Sequence, residues 1–145
     1  MLSDFRLVRK QRVAFEDVDM LQHVNHITFV RWAETMRCDY VADVLDENIF
    51  GTRGIIGAKI EFTYEAQVEY REHMVMGCRV SRLGTKSLEH RYEFWSESRG
   101  IRCGHGSSIV VAFDYPTNAT IAIPPEWRTR ILAFEAPDSQ IAGRT

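Results

Sequence analysis

The stretch from Asn25 to Leu45 constrains the fold more than any other part of this chain. Thr28, Arg31, Thr35, Asp39 and Asp46 recur at helical spacing and make one narrow polar face, with the small Ala42 among them. The remaining surface is broadly apolar, carrying Phe29, Val30, Ala33, Met36, Tyr40, Val41 and Val44. A helix that is apolar over more than one stripe has to be wrapped by other structure. Asn25 is a good N-cap residue and sets the expected start. Arg37 falls near the middle of the apolar face, and a buried guanidinium needs a partner. Glu34, three residues back, and Asp17, across the fold, are the two candidates.

The wrapping material reads as strands. Phe5 to Phe15 alternates and predicts a first strand, followed by a polar loop over 16–23. Residues 51–57 (G-T-R-G-I-I-G) predict a glycine-rich turn or loop. They lack the G-K-[ST] ending of a phosphate loop. Ala58, Ile60, Phe62, Tyr64, Ala66 and Val68 then alternate with polar residues and predict a long strand with one buried face. Strands follow at 73–82, 87–97 and 101–114, joined by short turns that imply antiparallel neighbours. Pro124-Pro125-Glu126 opens a short helix, and the tail from Ala136 reads as frayed. Strand, long helix and a four-strand meander make one α+β domain over 1–145, with a strongly curved sheet around the helix.

Charge and cysteine usage narrow the function. A net charge of -2 gives no electrostatic reason to expect nucleic acid as a partner. No apolar run approaches the roughly 20 residues of a membrane span. Residues 1–10 lack the apolar region of a signal peptide. Three cysteines without framework spacing fit reduced thiols and a cytoplasmic location.

Asp17, Asp19, His23, Asn25 and His26 fall between the first strand and the helix. A carboxylate beside a helix N-terminus can act as base or nucleophile while free N–H groups hold an oxyanion. The plainer reading of Asp19 is a loop residue satisfying backbone N–H groups. Asp17, Asp19, His23 and His26 could share a metal, although their spacing matches no H-E-x-x-H or C-x-x-C pattern. Cys103 and His105 could form a nucleophilic pair on one strand face, with sheet packing as the ordinary alternative. Cys38 and Cys78 have no evident activator.

This order resembles the hotdog-fold thioesterases of the 4-hydroxybenzoyl-CoA and acyl-CoA branch. That branch carries F-x-D-x-D, then G-H-V-N-N or G-V-V-Y-H, then an aromatic and W/F-x-E-x-x-R. Here the pattern reads Phe15, Asp17, Asp19, His23-Val24-Asn25-His26, Phe29, Trp32, Glu34 and Arg37. The resemblance implies an antiparallel five-stranded sheet wrapped around one long central helix. It implies hydrolysis of acyl-CoA or acyl-carrier-protein thioesters to free acid and thiol.

Carried over by position, Asp19 matches the catalytic carboxylate, acting as general base or nucleophile. His26 falls where a backbone N–H polarises the thioester carbonyl, and bacterial short-chain acyl-CoA relatives have histidine there. His23 matches the histidine of plant acyl-carrier-protein thioesterases. Leu21 replaces the asparagine of those plant enzymes, and Gln22 stands where many CoA enzymes have glycine. Val24, Asn25 and Phe29 would contact substrate. Lys59, Ile60, Glu61 and Phe62, on the 57–64 strand of a partner subunit, would line the acyl tunnel. Arg53, Lys59, Arg79, Arg82 and Lys86 are candidate contacts to CoA phosphates. No metal and no cofactor are implied, coenzyme A being part of the substrate.

A homo-oligomer, dimer or tetramer, is expected because a long, proline-free strand such as 57–68 is suited to edge pairing. Trp95, Val110 and Ala112 suggest a further buried contact. The alternative function is a non-catalytic acyl-thioester-binding hotdog protein. Asp19 discriminates between them, since binding alone does not require that carboxylate.

Overall fold

The computed structural model describes residues 1–135 and 142–143. Nine regular elements appear in these residues: β1 (Leu7–Arg12), α1 (His26–Asp43), β2 (Arg53–Tyr64), β3 (His73–Leu83), β4 (Ser87–Ser96), β5 (Ile101–Asp114), β6 (Ala119–Thr120), α2 (Pro125–Glu135) and β7 (Ala142–Gly143). The five long strands form an antiparallel sheet in the order β1-β3-β4-β5-β2. β6 extends β5, and β7 pairs parallel with the end of β3. The expectation of a frayed tail from Ala136 otherwise falls outside the described residues.

The helix is wrapped as its composition requires. Phe29, Trp32, Ala33, Met36, Tyr40 and Val41 are all buried. The sheet covers part of that surface with the inward residues of β3, β4 and β5. α2 covers the C-terminal part, burying Trp127 and Ile131 in the same core. The Tyr40 hydroxyl donates to the Glu135 carboxylate at 2.8 Å, and the Val80 N–H donates to the same oxygen at 2.8 Å. Burial raises the Glu135 pKa, against the lowering effect of these two donors.

Several local expectations are corrected. The 51–57 loop is mostly strand, because β2 begins at Arg53 and runs through Gly54 and Gly57. A Cβ at Gly54 would lie 2.9 Å from the Tyr115 hydroxyl, so the glycine leaves room for that side chain, from the turn after β5, rather than making a turn of its own. The expected strand over 58–68 ends at Tyr64, where Glu65 and Ala66 both donate to the Cys103 carbonyl and the chain leaves the sheet. The meander has three strands, β3-β4-β5, not four. β2 pairs with β5 and not with β3, whose second edge is taken by β1.

β2 is therefore an edge strand, and its apolar face is only partly covered. Ile60 is 42% exposed and Tyr64 45%. At the other end of the chain, β1 stops at Arg12, and Phe15 lies in a 3-10 turn with its ring in solvent rather than in a strand.

Polar partners also differ. Asp17 does not meet Arg37. Its buried carboxylate accepts from the Ala14 N–H at 2.8 Å and lies 3.7 Å from Arg31. Arg37, with a side chain only 16% exposed, pairs with Glu34 at 3.3 Å, the first of the two candidates. Thr28 leaves the polar face because the 15–18 turn folds over it, and its hydroxyl donates to the Asp17 carbonyl at 3.3 Å. Val110 and Ala112 are buried in the chain's own core, so they give no argument for a second interface. Trp95 is half-buried, and its indole N–H donates to Glu93 at 2.8 Å.

Candidate active site

The loop from Asp17 to Asn25 is a tight reversal between the 3-10 turn and α1. Val18 bridges Val24, and the Asp19 N–H donates to the His23 carbonyl at 3.2 Å. The Gln22 N–H returns to the Asp19 carbonyl at 2.9 Å, closing the turn. Gln22 sits at φ +66°, a left-handed conformation that glycine adopts without strain. Glutamine here takes up a backbone shape that the glycine of the G-H-V-N-N pattern would adopt freely.

That turn fixes the Asp19 carboxylate. One oxygen accepts from the Leu21 N–H at 2.8 Å, and the other accepts from the Asn25 side-chain amide at 3.0 Å. The Asn25 Oδ1 in turn caps the helix by accepting from the Ile27 N–H at 2.9 Å. Asn25 thus has two tasks: it starts α1 and it aims Asp19. Its own N–H donates to the Asp17 carbonyl at 2.9 Å, so buried Asp17 holds the assembly from beneath. The Thr28 N–H is taken by the Asn25 carbonyl at 2.9 Å. The His26 N–H has no acceptor among the described residues, which leaves one free donor at the positive end of the helix.

Tyr64 completes this corner, and sequence reasoning did not single it out. Its hydroxyl donates to the His26 carbonyl at 3.2 Å. Its ring stands edge-on to those of His26, at 6.0 Å, and Phe29, at 5.4 Å. Burial raises the phenol pKa, which keeps it a neutral donor. In the sequence Tyr64 is one more apolar member of an alternating strand. Only its place at the uncovered edge, next to the helix start, marks it.

Two surface cavities meet at His23. The larger, of about 780 Å³, is lined by Asp19 and His23 with Phe15 and Tyr70. The smaller, of about 260 Å³, is lined by His23, Val24, His26, Phe29 and Tyr64. The structure thus gathers Asp19, His23, Val24, Asn25, His26 and Phe29 at one corner.

The residues named on β2 divide. Lys59 and Glu61 lie on the outer face of the sheet and pair with each other at 2.6 Å. Ile60 and Phe62 lie on the helix side, with Phe62 stacked on Tyr64 at 6.3 Å. None of Arg53, Lys59, Arg79, Arg82 or Lys86 lines either cavity at His23. Arg53 is engaged by Glu47 and Glu126, and Arg82 by Glu89 at 3.4 Å.

The other candidate chemistry does not assemble. Cys103 is buried in the core, where desolvation raises its thiol pKa, while His105 pairs across the outer face with Glu93 and lies 3.5 Å from Glu65. Among the described residues no three His, Cys, Asp or Glu side chains converge to hold a metal ion, and no helix is long and apolar enough to cross a membrane.

Comparison with known proteins follows the same lines. The PA5185 protein of Pseudomonas aeruginosa shares the fold at a TM-score of 0.84 with 23% identity, over 94% of this chain and 96% of that one. Slr0204, a 1,4-dihydroxy-2-naphthoyl-CoA thioesterase from Synechocystis, matches at 0.79 with 12% identity, over 90% and 98%. SAV2348 from Staphylococcus aureus, solved in complex with CoA, matches at 0.81 with 14% identity, over 89% and 83%. No curated protein matches the sequence. Residues 13–131 match the profile of the thioesterase-like superfamily, a span that includes Asp19, α1 and all of the sheet from β2 to β6. With its wrapped helix, its antiparallel sheet and this match over most of its length, the chain belongs to the thioesterase-like superfamily.

Proposed function

We propose that the protein hydrolyses acyl-CoA thioesters, with Asp19 as general base or nucleophile and the His26 N–H polarising the thioester carbonyl. The observation that carries this reading is the pair formed by a carboxylate and a free donor. Asp19 is held by Leu21 and Asn25 at 2.8 and 3.0 Å, and the first N–H of α1 is left open nearby. A thioester carbonyl is already electrophilic and its thiolate leaves readily. A positioned carboxylate and an oxyanion donor are then sufficient machinery. His23 joins the two cavities and stands beside the path between them. His26 contributes its N–H, with its ring held by Tyr64.

The acyl group would enter the smaller cavity, against Phe29 and Tyr64. That cavity is open toward the uncovered edge of β2. A second copy of the chain pairing along β2 would close it and bring the partner's Ile60 and Phe62 strand toward Asp19. Such pairing would also remove the hazard of an exposed twelve-residue edge. CoA as the thiol carrier is supported by the CoA complex of a structural neighbour.

The test is thiol release from a panel of acyl-CoAs and acyl-carrier-protein thioesters, measured with light scattering on the same sample. Turnover by an oligomer supports the reading. Tight acyl-CoA binding without release of thiol would favour an acyl-binding protein, and full activity in a monomer would contradict the shared site.

A further inference from the structure

Arg37 is a charge that the reaction at Asp19 does not use, set on the apolar side of α1. Its side chain is only 16% exposed, and Glu34 meets it through Nη2 alone, at 3.3 Å. Nη1 faces β2, where a Cβ at Gly57 would lie 4.0 Å away. The register of β2 shifts between Gly57 and Lys59, so the strand bulges there and offers only Gly57 and Ala58 as side chains, which leaves room over the guanidinium. The inner face of the sheet turns polar beside it. The Tyr92 and Ser108 hydroxyls share a hydrogen bond of 2.7 Å. His90 is 1% exposed, and neither ring nitrogen has a hydrogen-bond partner among the described residues. Buried polar groups without partners call for an explanation, and an absent ligand is one. Burial raises the pKa of the Tyr92 phenol and lowers that of the His90 ring, and the nearby Arg37 charge lowers both. An aromatic wall leads to this cluster from the Asp19 corner. Tyr64 stacks on Phe62 at 6.3 Å, and Phe62 lies 6.1 Å from Tyr92.

We propose that this cluster receives a carboxylate at the far end of the acyl group, so that the substrate is the monothioester of a dicarboxylic acid. The inference rests on the acyl-CoA reading above and names its acyl class. With the thioester carbonyl at the His26 N–H, the acyl chain leaves the smaller cavity along the seam between α1 and β2, past Tyr64 and Phe62, and ends at Arg37. Arg37 lies eleven residues beyond His26, about 16 Å along the axis at about 1.5 Å per residue, and long side chains on a helix lean back toward its start. An extended acyl chain of medium length covers that distance. Arg37, the Tyr92–Ser108 hydroxyl pair and His90 offer donors and a positive charge, while Glu34 is 63% exposed and occupies one nitrogen of the guanidinium. A methyl end placed here would leave the guanidinium and the imidazole unpaired and dry, at a cost in free energy. A carboxylate accepts from both kinds of donor and balances the charge.

The experiment pairs CoA esters of equal carbon number, adipoyl against hexanoyl and suberoyl against octanoyl. The wild type is expected to favour the dicarboxylic member of a pair by about tenfold or more in kcat/KM, the size of a charge-assisted hydrogen bond. Arg37→Met should erase that preference and leave the alkanoyl ester within a few fold of the wild type. Ser108→Ala, a milder change that keeps the charge, should raise KM for the dicarboxylic ester alone, and it decides the matter if Arg37→Met does not fold. A wild type that prefers the alkanoyl esters, or equal losses on both esters in the variants, would overturn the assignment. If Arg37 instead meets an acid of a second copy of the chain, Arg37→Met will dissociate the assembly and impair both esters alike, which also overturns it. Calorimetric binding of the carboxyalkyl and alkyl thioethers of CoA, which cannot be hydrolysed, separates this inference from the proposed activity. Should the wild type cleave none of the esters, the hydrolase reading fails. Tighter binding of the carboxyalkyl thioether, lost in Arg37→Met, would then still support the subsite, and equal binding of the two would refute it.

Discussion

The two ends of α1 carry the same kind of group and use it oppositely. At the C-terminal end, Tyr40 and Glu135 are buried, and the carboxylate accepts from the Tyr40 hydroxyl and the Val80 N–H. At the N-terminal end, Asp19 is likewise held by two donors, but it stands at the rim of a cavity, beside an N–H with no acceptor among the described residues. A carboxylate locked between elements stabilises them, and one left at a cavity rim remains available to a ligand. The difference teaches that burial, not residue type, separates a structural acid from a candidate reactive one.

The sharpest way to break the comparison is at Asp19. Asp19→Asn should lower kcat by at least about a hundredfold, as expected for a lost base or nucleophile, with an unchanged melting temperature. Activity within a few fold of wild type would remove Asp19 from the mechanism.

The mirror experiment is Tyr40→Phe, which takes one donor from a buried acid. It should destabilise the protein by about 1–3 kcal/mol and leave kcat unchanged. Chemical denaturation and steady-state kinetics on one preparation would check both halves, and a loss of kcat would show that the two ends are coupled.

Acid sharpens the contrast at the C-terminal end of α1, where His90 of β4 packs on Tyr40. His90 is fully buried against Tyr40, and neither ring nitrogen has a hydrogen-bond partner among the described residues. Burial, with a smaller contribution from Arg37, lowers its pKa to about 3. The folded pKa lies below the unfolded one, so the unfolded chain takes up a proton that the native state refuses. The stability due to neutral His90 is complete above about pH 6.5 and is lost as pH falls toward 3, at up to about 1.4 kcal/mol per unit. Denaturant midpoints at pH 7 and pH 5 should diverge more for the wild type than for His90→Leu. Equal divergence would mean that His90 ionises in the folded protein.

The smallest effect belongs to Gln22→Gly. Glycine accepts φ +66° without steric cost but loses more entropy on folding, so stability should change by less than about 1 kcal/mol. A large gain in activity would show that the glutamine side chain obstructs the larger cavity.

Much of this was legible in the chain itself. The breadth of apolar residues on α1 demanded a wrapped helix. Asn25 marked its start, and α1 begins at His26. The cluster from Asp19 to His26 is local in sequence, so its residues had to be neighbours however the rest folded. Arg37 could be placed on the buried side, but its partner had to be chosen between two acids, and packing chose Glu34. Tyr64 and Tyr70 were not legible as site residues, because their neighbours there are nearly forty residues or more away in sequence.

The sequence by itself determined the long helix, the number of long strands and the local arrangement of the Asp19–His26 loop. Periodicity, capping and turn preferences all act within a few residues. Only the tertiary structure decided that β2 joins β5 and becomes an edge, since strand order depends on pairings between distant segments. The same long-range pairing carries Tyr64 to the start of α1 and leaves Ile60 and Tyr64 uncovered, although their alternation matches that of buried residues. A period of two states which side chains share a face, and the neighbours brought by the fold determine whether that face is core or surface.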